Sequence, residues 1–535
     1  MSSFSSSRRG TINTTFREAV ERHPNRVFLD FSGEVFTYAE LDRQVQRLAA
    51  GLHAMNVRPG DRIVTVLDTG PDAVISWLAI NRVGATVVPI NTAYKGEFLR
   101  HQIGDAGARF CITEAEYLPN VGSIRSELPA LEHVLYRGTA TTNESGTSHI
   151  DRHRLDDCDV PYAEVAPADL AMLLYTSGTT GPSKGCKVSH SYISDLSRRV
   201  AGFSHTTPED ISWTPLPLFH IYAIAVTLST MQIGGRASLM RKFSVSKFWQ
   251  EIQRSKANVL YLLGAMTAMI ASAPETTEEK ACFGQVRALL TAPCPPSLQR
   301  KLRERFGVLQ SGSVGYGQTE AGAMITSALG EELPEGSAGG RNETFDVRVF
   351  DENDEELPPN QVGEVVVRPL KPHVMFSGYW NRDSSSFSVA GNYWHHTGDF
   401  GKFDDQGYFY FVDRKKDYLR RRGENISSFE VEQALLKHPA IGEVAVHAVP
   451  ADLAEDDIKA TIVLRENVPL AAPDLHVWAS ERIPKFALPR YIEFRPELPK
   501  NALGRVLKYQ LRDEGVTAST WDREKSGPTT SPLKS

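Results

Sequence analysis

The chain has 535 residues, of which 41% are hydrophobic and 23% charged, and its formal net charge is −6. Since a single compact core rarely grows to this length, we expect at least two domains, with ample apolar surface for a large core. The acidic balance and the lack of a long basic run argue against a nucleic acid as the main partner.

Cysteine usage and the first residues bear on the compartment. Five scattered cysteines without a CxxC pair favour neither a disulfide framework nor a zinc site, and they fit a reducing cytoplasm. The opening residues, MSSFSSSRRG, lack the apolar region of a secretory signal. No apolar run reaches the ~18 residues of a membrane span, and residues 223–231 suit a buried helix. We therefore expect a cytoplasmic protein without an integral membrane segment, whose oligomeric state stays open.

From residue 60 to about 315, short apolar runs alternate with helical patterns. Strands are predicted at RIVTVLD, ATVVPI, ARFCIT, AMLLYT, NVLYLLG and VRALLTA, and helices at DAVISWLAINRVG, GEFLRHQIGDAG and PSLQRKLRERFG. This alternation predicts an α/β fold with mostly parallel sheets covered by helices. The polar segment 138–165 is predicted to be a surface loop.

The pattern changes near residue 338. The runs FDVRVFD, GEVVVRP and YFYFVDR predict a β-rich subdomain. After Asp413 a charged string, RKKDYLRRRGEN, precedes renewed α/β alternation in SFEVEQALLKHP, EVAVHAV and KATIVLR. The predicted domains are therefore an N-terminal domain over 1–413 and a smaller α/β domain over 414–515, followed by a Ser/Thr/Pro-rich disordered tail over 516–535.

The sharpest local signal is YTSGTTGPSKG at residues 175–185, directly after the strand AMLLY. Its glycines free the backbone N–H groups to turn inward, and hydroxyls and a lysine add donors, as a polyphosphate requires. The spacing does not fit a Walker A loop. A flexible surface turn is the alternative, but the density of donors after a buried strand favours phosphate binding.

This loop resembles the signature of the ANL superfamily of adenylate-forming enzymes, which includes acyl-CoA synthetases, nonribosomal-peptide adenylation domains and luciferases. By that resemblance the ATP phosphates are held by Thr176, Ser177, Gly178, Thr179, Thr180 and Lys184, with Thr180 also in a catalytic role.

Further motifs of the superfamily follow in order. Residues 316–320, YGQTE, match its YGxTE motif: Tyr316 would stack on adenine, and Glu320 would hold Mg²⁺ and act in catalysis. Gly317 and Thr319 would join the ATP site. Alone, Glu320 could equally be an ordinary loop acid. The HTGD run ending at Asp399 matches the TGD motif, and Asp399 would bind ribose hydroxyls, although TGD alone is common turn chemistry.

The charged string resembles the hinge motif of the superfamily. Arg414 would contact ribose or phosphate, and Lys416 would be the pivot about which a mobile C-terminal domain rotates. Coenzyme A would be approached by Arg420, Arg422 and Gly423. Without the other motifs, a solvated basic run would explain this string.

Two less specific matches to the superfamily concern the residues that would contact adenine and the acid. Ala292 and Pro293 lie where the superfamily places backbone contacts to adenine. Residues 217–220, PLFH, resemble the loop that carries a gate at the acyl pocket, although an isolated loop histidine is more often merely hydrogen-bonded. The predicted acyl pocket contains His220, Gly264, Met266 and Gly315.

One departure from the superfamily pattern lies near the C-terminal end. The usual motif is PxTxxGK, whose lysine bridges the carboxylate and the α-phosphate, and here Arg505 occupies the position of that lysine. Arginine keeps the charge but is wider and planar, so the same contact geometry does not follow. Lys508 is the alternative cation, and both are predicted catalytic residues.

The resemblance implies an acid–CoA ligase that uses ATP and Mg²⁺, forms an acyl-adenylate with release of pyrophosphate, and transfers the acyl group to coenzyme A with release of AMP. The alternatives are a stand-alone adenylation enzyme that loads a carrier protein, and a noncatalytic acyl or nucleotide sensor. YLLGAM (261–266) and PHVMFSGYW (372–380) look most like the crotonobetaine/carnitine-CoA ligase branch, which also contains ligases for bulky acids. These motifs do not fix the acid.

Overall fold

The computed structural model describes residues 10–140, 145–156, 160–176, 183–313, 315–382, 393–414, 419–421, 424–426, 428–450, 456–466, 468–483, 487–500 and 506–525. The chain forms two compact units. The first unit comprises residues 1–348, 366–395 and 404–410, and the second comprises 349–365, 396–403 and 411–535.

The described residues form α-helices and β-strands, with short 3₁₀ turns at Arg125–Glu127 and Ile150–His153. The helices are α1 (Ile12–Arg22), α2 (Tyr38–Ala54), α3 (Pro71–Arg82), α4 (Gly96–Ala106), α5 (Leu118–Gly122), α6 (His190–Ser204), α7 (Ile221–Gln232), α8 (Val245–Ser255), α9 (Gly264–Ser272), α10 (Thr277–Ala281), α11 (Pro296–Phe306), α12 (Ser428–Leu436), α13 (Ala472–Ser480) and α14 (Lys508–Glu514). The strands are β1 (Val27–Phe31), β2 (Glu34–Thr37), β3 (Arg62–Val66), β4 (Thr86–Pro89), β5 (Phe110–Glu114), β6 (His133–Arg137), β7 (Thr147–His149), β8 (Leu170–Thr176), β9 (Lys184–Ser189), β10 (Ile211–Thr214), β11 (Arg236–Leu239), β12 (Val259–Tyr261), β13 (Ala288–Leu290), β14 (Gln310–Gly312), β15 (Tyr316–Gln318), β16 (Gly322–Thr326), β17 (Gly339–Arg341), β18 (Phe345–Phe350), β19 (Gly363–Pro369), β20 (His395–Phe403), β21 (Tyr408–Arg414), β22 (Leu419–Arg421), β23 (Glu424–Ile426), β24 (Ile441–Pro450), β25 (Asp456–Leu464), β26 (Tyr491–Phe494) and β27 (Trp521–Asp522).

The first unit contains two seven-stranded sheets that confirm the predicted α/β fold. One has the order β7-β6-β5-β3-β4-β8-β9 and is parallel except for the β8–β9 pair. The other has the order β14-β13-β12-β10-β11-β1-β2 and is parallel except for the β1–β2 pair. Local signals set the helix ends: α11 begins at Pro296 and is capped after Phe306 by Gly307, whose φ is 66°.

The apolar cores lie between these sheets and their helices. In the first sheet, Val64 and Val134 pack with Leu99 and Ile103 of α4. In the second sheet, the core includes Trp213 and the aromatic side chains of α8 and α11. The predicted buried helix at 223–231 is confirmed within α7. None of the described helices is long and apolar enough to cross a membrane.

The prediction of a surface loop over residues 138–165 is partly wrong. It contains β7, which pairs in parallel with β6, and a 3₁₀ turn with the buried Ile150. The guanidinium of Arg125 holds this edge by donating to Thr147 Oγ1 at 2.7 Å and to the Glu132 carbonyl oxygen at 3.0 Å. A strand of three residues is too short to show an alternation of apolar and polar residues, so the sequence does not reveal it.

The second unit contains the sheet β24-β25-β26-β27, with α12 and α13 contributing Leu435 and Leu475 to its core. The predicted α/β alternation after the charged string is confirmed here. The predicted disordered tail needs a correction, because strand β27 pairs with β26 and Arg490 forms an ion pair with Asp522 at 3.2 Å. Residues 526–535 of that tail lie outside the described residues.

A buried ion pair lies in this sheet. The Lys459 ammonium is 2.5 Å from Glu493 Oε2, and the two side chains are 1% and 3% exposed. Lys459 also donates to the Gly515 carbonyl oxygen at 2.6 Å, and Arg495 donates to Glu493 Oε1 at 2.9 Å. Burial acts to raise the pKa of Glu493, but hydrogen bonds from Arg495 and Lys459 outweigh it and lower this pKa to about 2.

We expect Glu493→Gln to cost the second unit about 3–5 kcal/mol of its unfolding free energy, because Lys459 is left buried without its counter-charge. In the wild type, this contribution should be present above the unfolded carboxyl pKa of about 4.3 and fade as the pH falls toward 2. Hydrogen exchange of the β25 and β26 amides in the full chain measures this loss of unfolding free energy. Glu443→Gln is the control, because its pair with Lys500 is about two-fifths exposed; equal losses in both variants would contradict the assignment.

Candidate active site

The YGQTE segment forms a tight hairpin in the first unit. Strand β15 pairs with β16, and a Cβ on Gly317 would lie 1.9 Å from the Gly322 carbonyl oxygen. At Gly315, φ is 77° and a Cβ would lie 1.9 Å from the Ile325 carbonyl oxygen. Both positions therefore require glycine for backbone packing. The ring of Tyr316 lies against Phe409, with centroids 5.1 Å apart.

Glu320 follows this strand and is 8% exposed. Its Oε1 accepts a hydrogen bond of 2.7 Å from the Tyr379 hydroxyl. Within the described residues, no lysine, arginine or histidine nitrogen lies within 4.0 Å of its carboxylate. A buried carboxylate without a counter-charge is costly, so this site favours a bound cation, and carboxylate oxygens are ligands that Mg²⁺ prefers. The residues present therefore fit a magnesium ion.

The segment predicted to bind phosphate, residues 175–185 (the phosphate loop), begins on β8 and ends on β9. Thr176 and Lys184 face each other across the β8–β9 pair, at the two ends of the loop. The Lys184 ammonium lies 5.0 Å from the centre of the Tyr379 ring. Burial raises the pKa of Cys186, two residues further on, well above its usual value, and the nearby Glu320 charge adds to the effect. Cys186 is therefore a neutral thiol.

Helix α4 fixes the strands on either side of the loop. His101 Nε2 lies 2.9 Å from the Ser183 carbonyl oxygen, and Gln102 donates to Ser183 Oγ at 2.9 Å. The Tyr175 hydroxyl donates to Asp105 at 2.7 Å. The ends of the loop are thus anchored to a rigid helix, which suits a site that must present several donors to one ligand.

Residues 376–380 form backbone hydrogen bonds with both β9 and Glu320. The Lys187 amide donates to the Gly378 carbonyl oxygen at 3.0 Å, and the Trp380 amide donates to the Gly185 carbonyl oxygen at 2.7 Å. At the other end, the Phe376 amide donates to the Glu320 carbonyl oxygen at 2.8 Å. Sequence reasoning did not identify Tyr379 as a site residue, because a Gly-Tyr-Trp run gives no indication of long-range pairing.

The residues predicted to contact adenine touch one that is predicted to line the acyl pocket. The Gly264 amide donates to the Ala292 carbonyl oxygen at 3.0 Å. A Cβ on Gly264 would lie 2.6 Å from Pro293 Cδ, so only glycine fits without movement. Met266, the third residue of α9, packs against the core of the second sheet. The structure therefore places Gly264 against Ala292 and Pro293.

His220 precedes the first residue of α7, and its ring lies 4.7 Å from that of Phe219. Burial lowers the pKa of His220 to about 4, so the imidazole is neutral at neutral pH. Its Nε2 is buried, and so is the hydroxyl of Tyr222; neither atom has a hydrogen-bond partner within the described chain. Tyr222 was not among the residues that the sequence singled out. Unpartnered buried polar atoms are available to a ligand.

Thr319 lies in the first unit, where its carbonyl oxygen accepts a hydrogen bond of 2.9 Å from the Tyr192 hydroxyl. The remaining predicted residues that the structure describes belong to the second unit. Asp399 is 1% exposed in β20, and its amide donates to Thr397 Oγ1 at 3.1 Å. The backbone of Arg414 ends β21, and that of Arg420 pairs with Asn425 between β22 and β23. Outside the described residues lie Ser177, Gly178, Thr179, Thr180, Lys416, Arg422, Gly423 and Arg505.

Lys508 is the predicted alternative to Arg505, and it begins α14. Its ammonium lies 2.8 Å from Glu432 Oε1 and donates to Ser428 Oγ at 2.6 Å. Glu432 Oε1 also accepts the Val446 amide at 2.7 Å. Lys508 therefore joins α14 to α12 and β24 within the second unit.

Apart from Glu320, the first unit contains a cluster of three carboxylates that is already paired with an arginine. Asp68, Glu114 and Glu116 could together hold a metal ion. The Arg241 guanidinium lies among them, 2.6 Å from Asp68, 3.3 Å from Glu114 and 2.9 Å from Glu116. Burial acts to raise the pKa of Asp68, but hydrogen bonds led by that from Arg241 lower it. This cluster is an arginine-centred ion-pair network.

The chain is similar in sequence and fold to known proteins. The family model for the AMP-binding enzyme matches residues 16–380, and that for the AMP-binding enzyme C-terminal domain matches residues 430–505. Crotonobetaine/carnitine–CoA ligase from Salmonella arizonae is 30% identical over 501 residues, covering 91% of this chain and 95% of that protein. The crystal structure of ATP-bound MatB from Rhodopseudomonas palustris is 25% identical with a TM-score of 0.83, covering 94% of this chain and 99% of that one. O-succinylbenzoate coenzyme A synthetase (MenE) from Bacillus subtilis, in complex with ATP and a magnesium ion, is 26% identical with a TM-score of 0.79, covering 93% and 99%.

Proposed function

The chain belongs to the AMP-binding enzyme family, and from this premise we propose that it is an ATP-dependent ligase that joins a carboxylic acid to coenzyme A. The acid and ATP give an acyl-adenylate and pyrophosphate. The thiol of coenzyme A then displaces AMP and forms the thioester. The observation that carries this proposal is the buried Glu320 carboxylate, which has no described cationic partner and lies beside the strand that follows the phosphate loop.

The first step requires positive charge because both reactants are anions. A carboxylate is a poor acyl donor, since its leaving group would be oxide, and attack on the α-phosphorus of ATP replaces that oxide with AMP. Charge accumulates on the phosphoryl oxygens during the attack, so donors fixed in advance lower the barrier. Lys184 and Thr176 supply such donors at the two ends of the loop. A magnesium ion held by Glu320 would neutralise phosphate charge.

The second step requires different groups at the same carbonyl carbon. We assign Asp399 and Arg414 to the ribose and phosphate of the adenylate, and Lys416 to the hinge of the C-terminal domain. Arg420, Arg422 and Gly423 would contact coenzyme A. For adenine, we assign Tyr316 with the backbone at Ala292 and Pro293. These assignments follow the motif positions.

The relative from Salmonella arizonae is called a crotonobetaine/carnitine–CoA ligase. A panel of candidate acids for this chain should therefore begin with crotonobetaine and carnitine and extend to bulky acids. The neutral His220 imidazole and the Tyr222 hydroxyl would give the pocket uncharged polar contacts. The pocket would then bind the acid tail without a formal charge from either residue.

We expect the purified chain, given ATP, Mg²⁺, coenzyme A and its acid, to release AMP and pyrophosphate in a one-to-one ratio with the thioester. Pyrophosphate exchange with the acid panel tests the first step, and mass detection of the thioester tests the second. Stoichiometric ADP would overturn the proposal. Exchange without thioester formation from free coenzyme A would favour a carrier-loading enzyme, and nucleotide binding without exchange would favour a sensor.

A further inference from the structure

Tyr379 contacts two side chains of opposite charge, Glu320 and Lys184, and Lys184 lies at one end of the phosphate loop. Its hydroxyl donates to Glu320 Oε1 at 2.7 Å, and its ring lies under the Lys184 ammonium, 5.0 Å from the ring centre. The residue is half-buried. One aromatic side chain therefore meets an anion at its polar end and a cation at its face, which is the arrangement that a phenol ring favours.

The backbone holds this ring in place. Tyr379 forms an antiparallel bridge with Cys186, and the flanking amide of Trp380 donates to the Gly185 carbonyl oxygen at 2.7 Å. The Phe376 amide bonds to the Glu320 carbonyl oxygen at 2.8 Å. Both the strand after the loop and the Glu320 backbone are thus tied to the segment that carries Tyr379.

Lys184 and Glu320 have opposite charges and share Tyr379 as a neighbour, yet they do not form an ion pair of 4.0 Å or less within the described residues. A direct pair would neutralise both groups. With the ring under the ammonium and the hydroxyl on the carboxylate, each charge is partly stabilised without being consumed. Lys184 stays available to an anion and Glu320 to a cation.

We propose that Tyr379 is a positioning residue that keeps Lys184 and Glu320 apart, so that one meets the phosphates of the nucleotide and the other its divalent metal ion. The nature of these ligands rests on the proposed function. The hydroxyl serves the metal side, because it orients the carboxylate, whereas the ring serves the phosphate side, because it occupies the space in which the two charges would pair.

Two substitutions separate these contributions. Tyr379→Phe keeps the ring and removes the hydroxyl, whereas Tyr379→Leu removes both. We measure Mn²⁺ binding by electron paramagnetic resonance in the presence of α,β-methylene-ATP, and binding of the same nucleotide in EDTA by calorimetry. Tyr379→Phe should weaken Mn²⁺ binding about 10-fold, as the loss of a hydrogen bond to a charged group does, and change metal-free nucleotide binding less than 2-fold. Tyr379→Leu should weaken both about 10-fold or more, because Lys184 and Glu320 then pair.

The first unit supplies a matched control. The Tyr162 hydroxyl donates to Asp42 at 3.1 Å, and the Arg82 guanidinium lies 4.1 Å from its ring centre. Here Arg82 pairs directly with Asp42 at 2.9 Å, so a phenol, a carboxylate and a cation meet, with the two charges already paired, at a place without a predicted ligand. Tyr162→Phe should change neither binding constant. Wild-type Mn²⁺ affinity in Tyr379→Phe would overturn the proposal, as would an equal loss in Tyr162→Phe.

These measurements also separate this inference from the proposed function. Both readouts are equilibrium binding constants and require no turnover. A wild-type chain that binds Mn²⁺ and nucleotide but releases no pyrophosphate would refute the ligase proposal, while the Tyr379 variants would still support or overturn the positioning role.

Discussion

Replacing Glu320 with glutamine is expected to lower the rate of adenylate formation by roughly 10²-fold or more, as the loss of a charge-stabilising group typically does. The amide can still accept the hydrogen bond from Tyr379, so the change removes charge and little else. Since Glu320 has no described cationic partner, its neutralisation leaves no buried positive group unpaired. The thermal midpoint should therefore stay close to that of the wild type.

Acid-dependent pyrophosphate exchange, normalised to folded protein, measures this effect. Glu279→Gln is the matched control, because Glu279 is a buried carboxylate paired with Arg305 at 2.8 Å elsewhere in the first unit. The control should lose stability and keep its exchange rate per folded molecule. Near-normal exchange in Glu320→Gln would return this residue to the role of an ordinary loop acid.

Arg505→Ala is expected to lose adenylation by roughly 10²-fold to 10³-fold, while it still forms thioester from preformed acyl-adenylate. The transition state of adenylation gathers negative charge on the attacking carboxylate and the α-phosphate, so one cation must reach both. Arginine keeps its charge and can bridge two oxygens with its fork. Arg505 stands at the motif position of the usual lysine, and it lies outside the described residues.

Lys508→Ala should behave differently, because the Lys508 ammonium is engaged by Glu432 and Ser428. Its loss leaves a mostly buried carboxylate without its cation, so we expect about 1–3 kcal/mol less stability in the second unit. Adenylation per folded molecule should be largely kept. The two half-reactions are assayed side by side in both variants. If Lys508→Ala rather than Arg505→Ala loses adenylation selectively, the assignment is reversed.

Most of the sheet architecture could be predicted from the sequence because local chemistry determines it. Runs such as RIVTVLD and AMLLYT are rich in apolar and β-branched residues without a polar alternation, which is typical of strands buried on both faces, and they coincide with β3 and β8. Helix α4 is capped by Gly107, whose φ is 59°, at the glycine that closes the predicted helical run. These elements need no information from distant residues.

The unpredicted features depend on contacts between distant parts of the chain. Strand β7 is held by Arg125, and β27 by its pairing with β26 and the ion pair of Arg490. In the candidate site, the motifs indicated Glu320 and Lys184, whereas the role of Tyr379 becomes visible only in the fold, where it forms an isolated bridge with Cys186 of β9. The run PHVMFSGYW, which contains Tyr379, resembles one branch of the superfamily, but the sequence gives no sign that this tyrosine contacts Lys184 and Glu320.

The packing of Gly264 bears on attempts to change which acid this protein accepts. Its amide bonds to Ala292, and the 2.6 Å from a prospective Cβ to Pro293 leaves no volume for a side chain. If these positions serve the acid and adenine as proposed, a bulkier residue at 264 would displace the nucleotide contact together with the acid contact. Selectivity and nucleotide affinity would then change together. Libraries aimed at new acids should keep Gly264 and diversify positions such as Tyr222, whose polar atom has no described partner to lose.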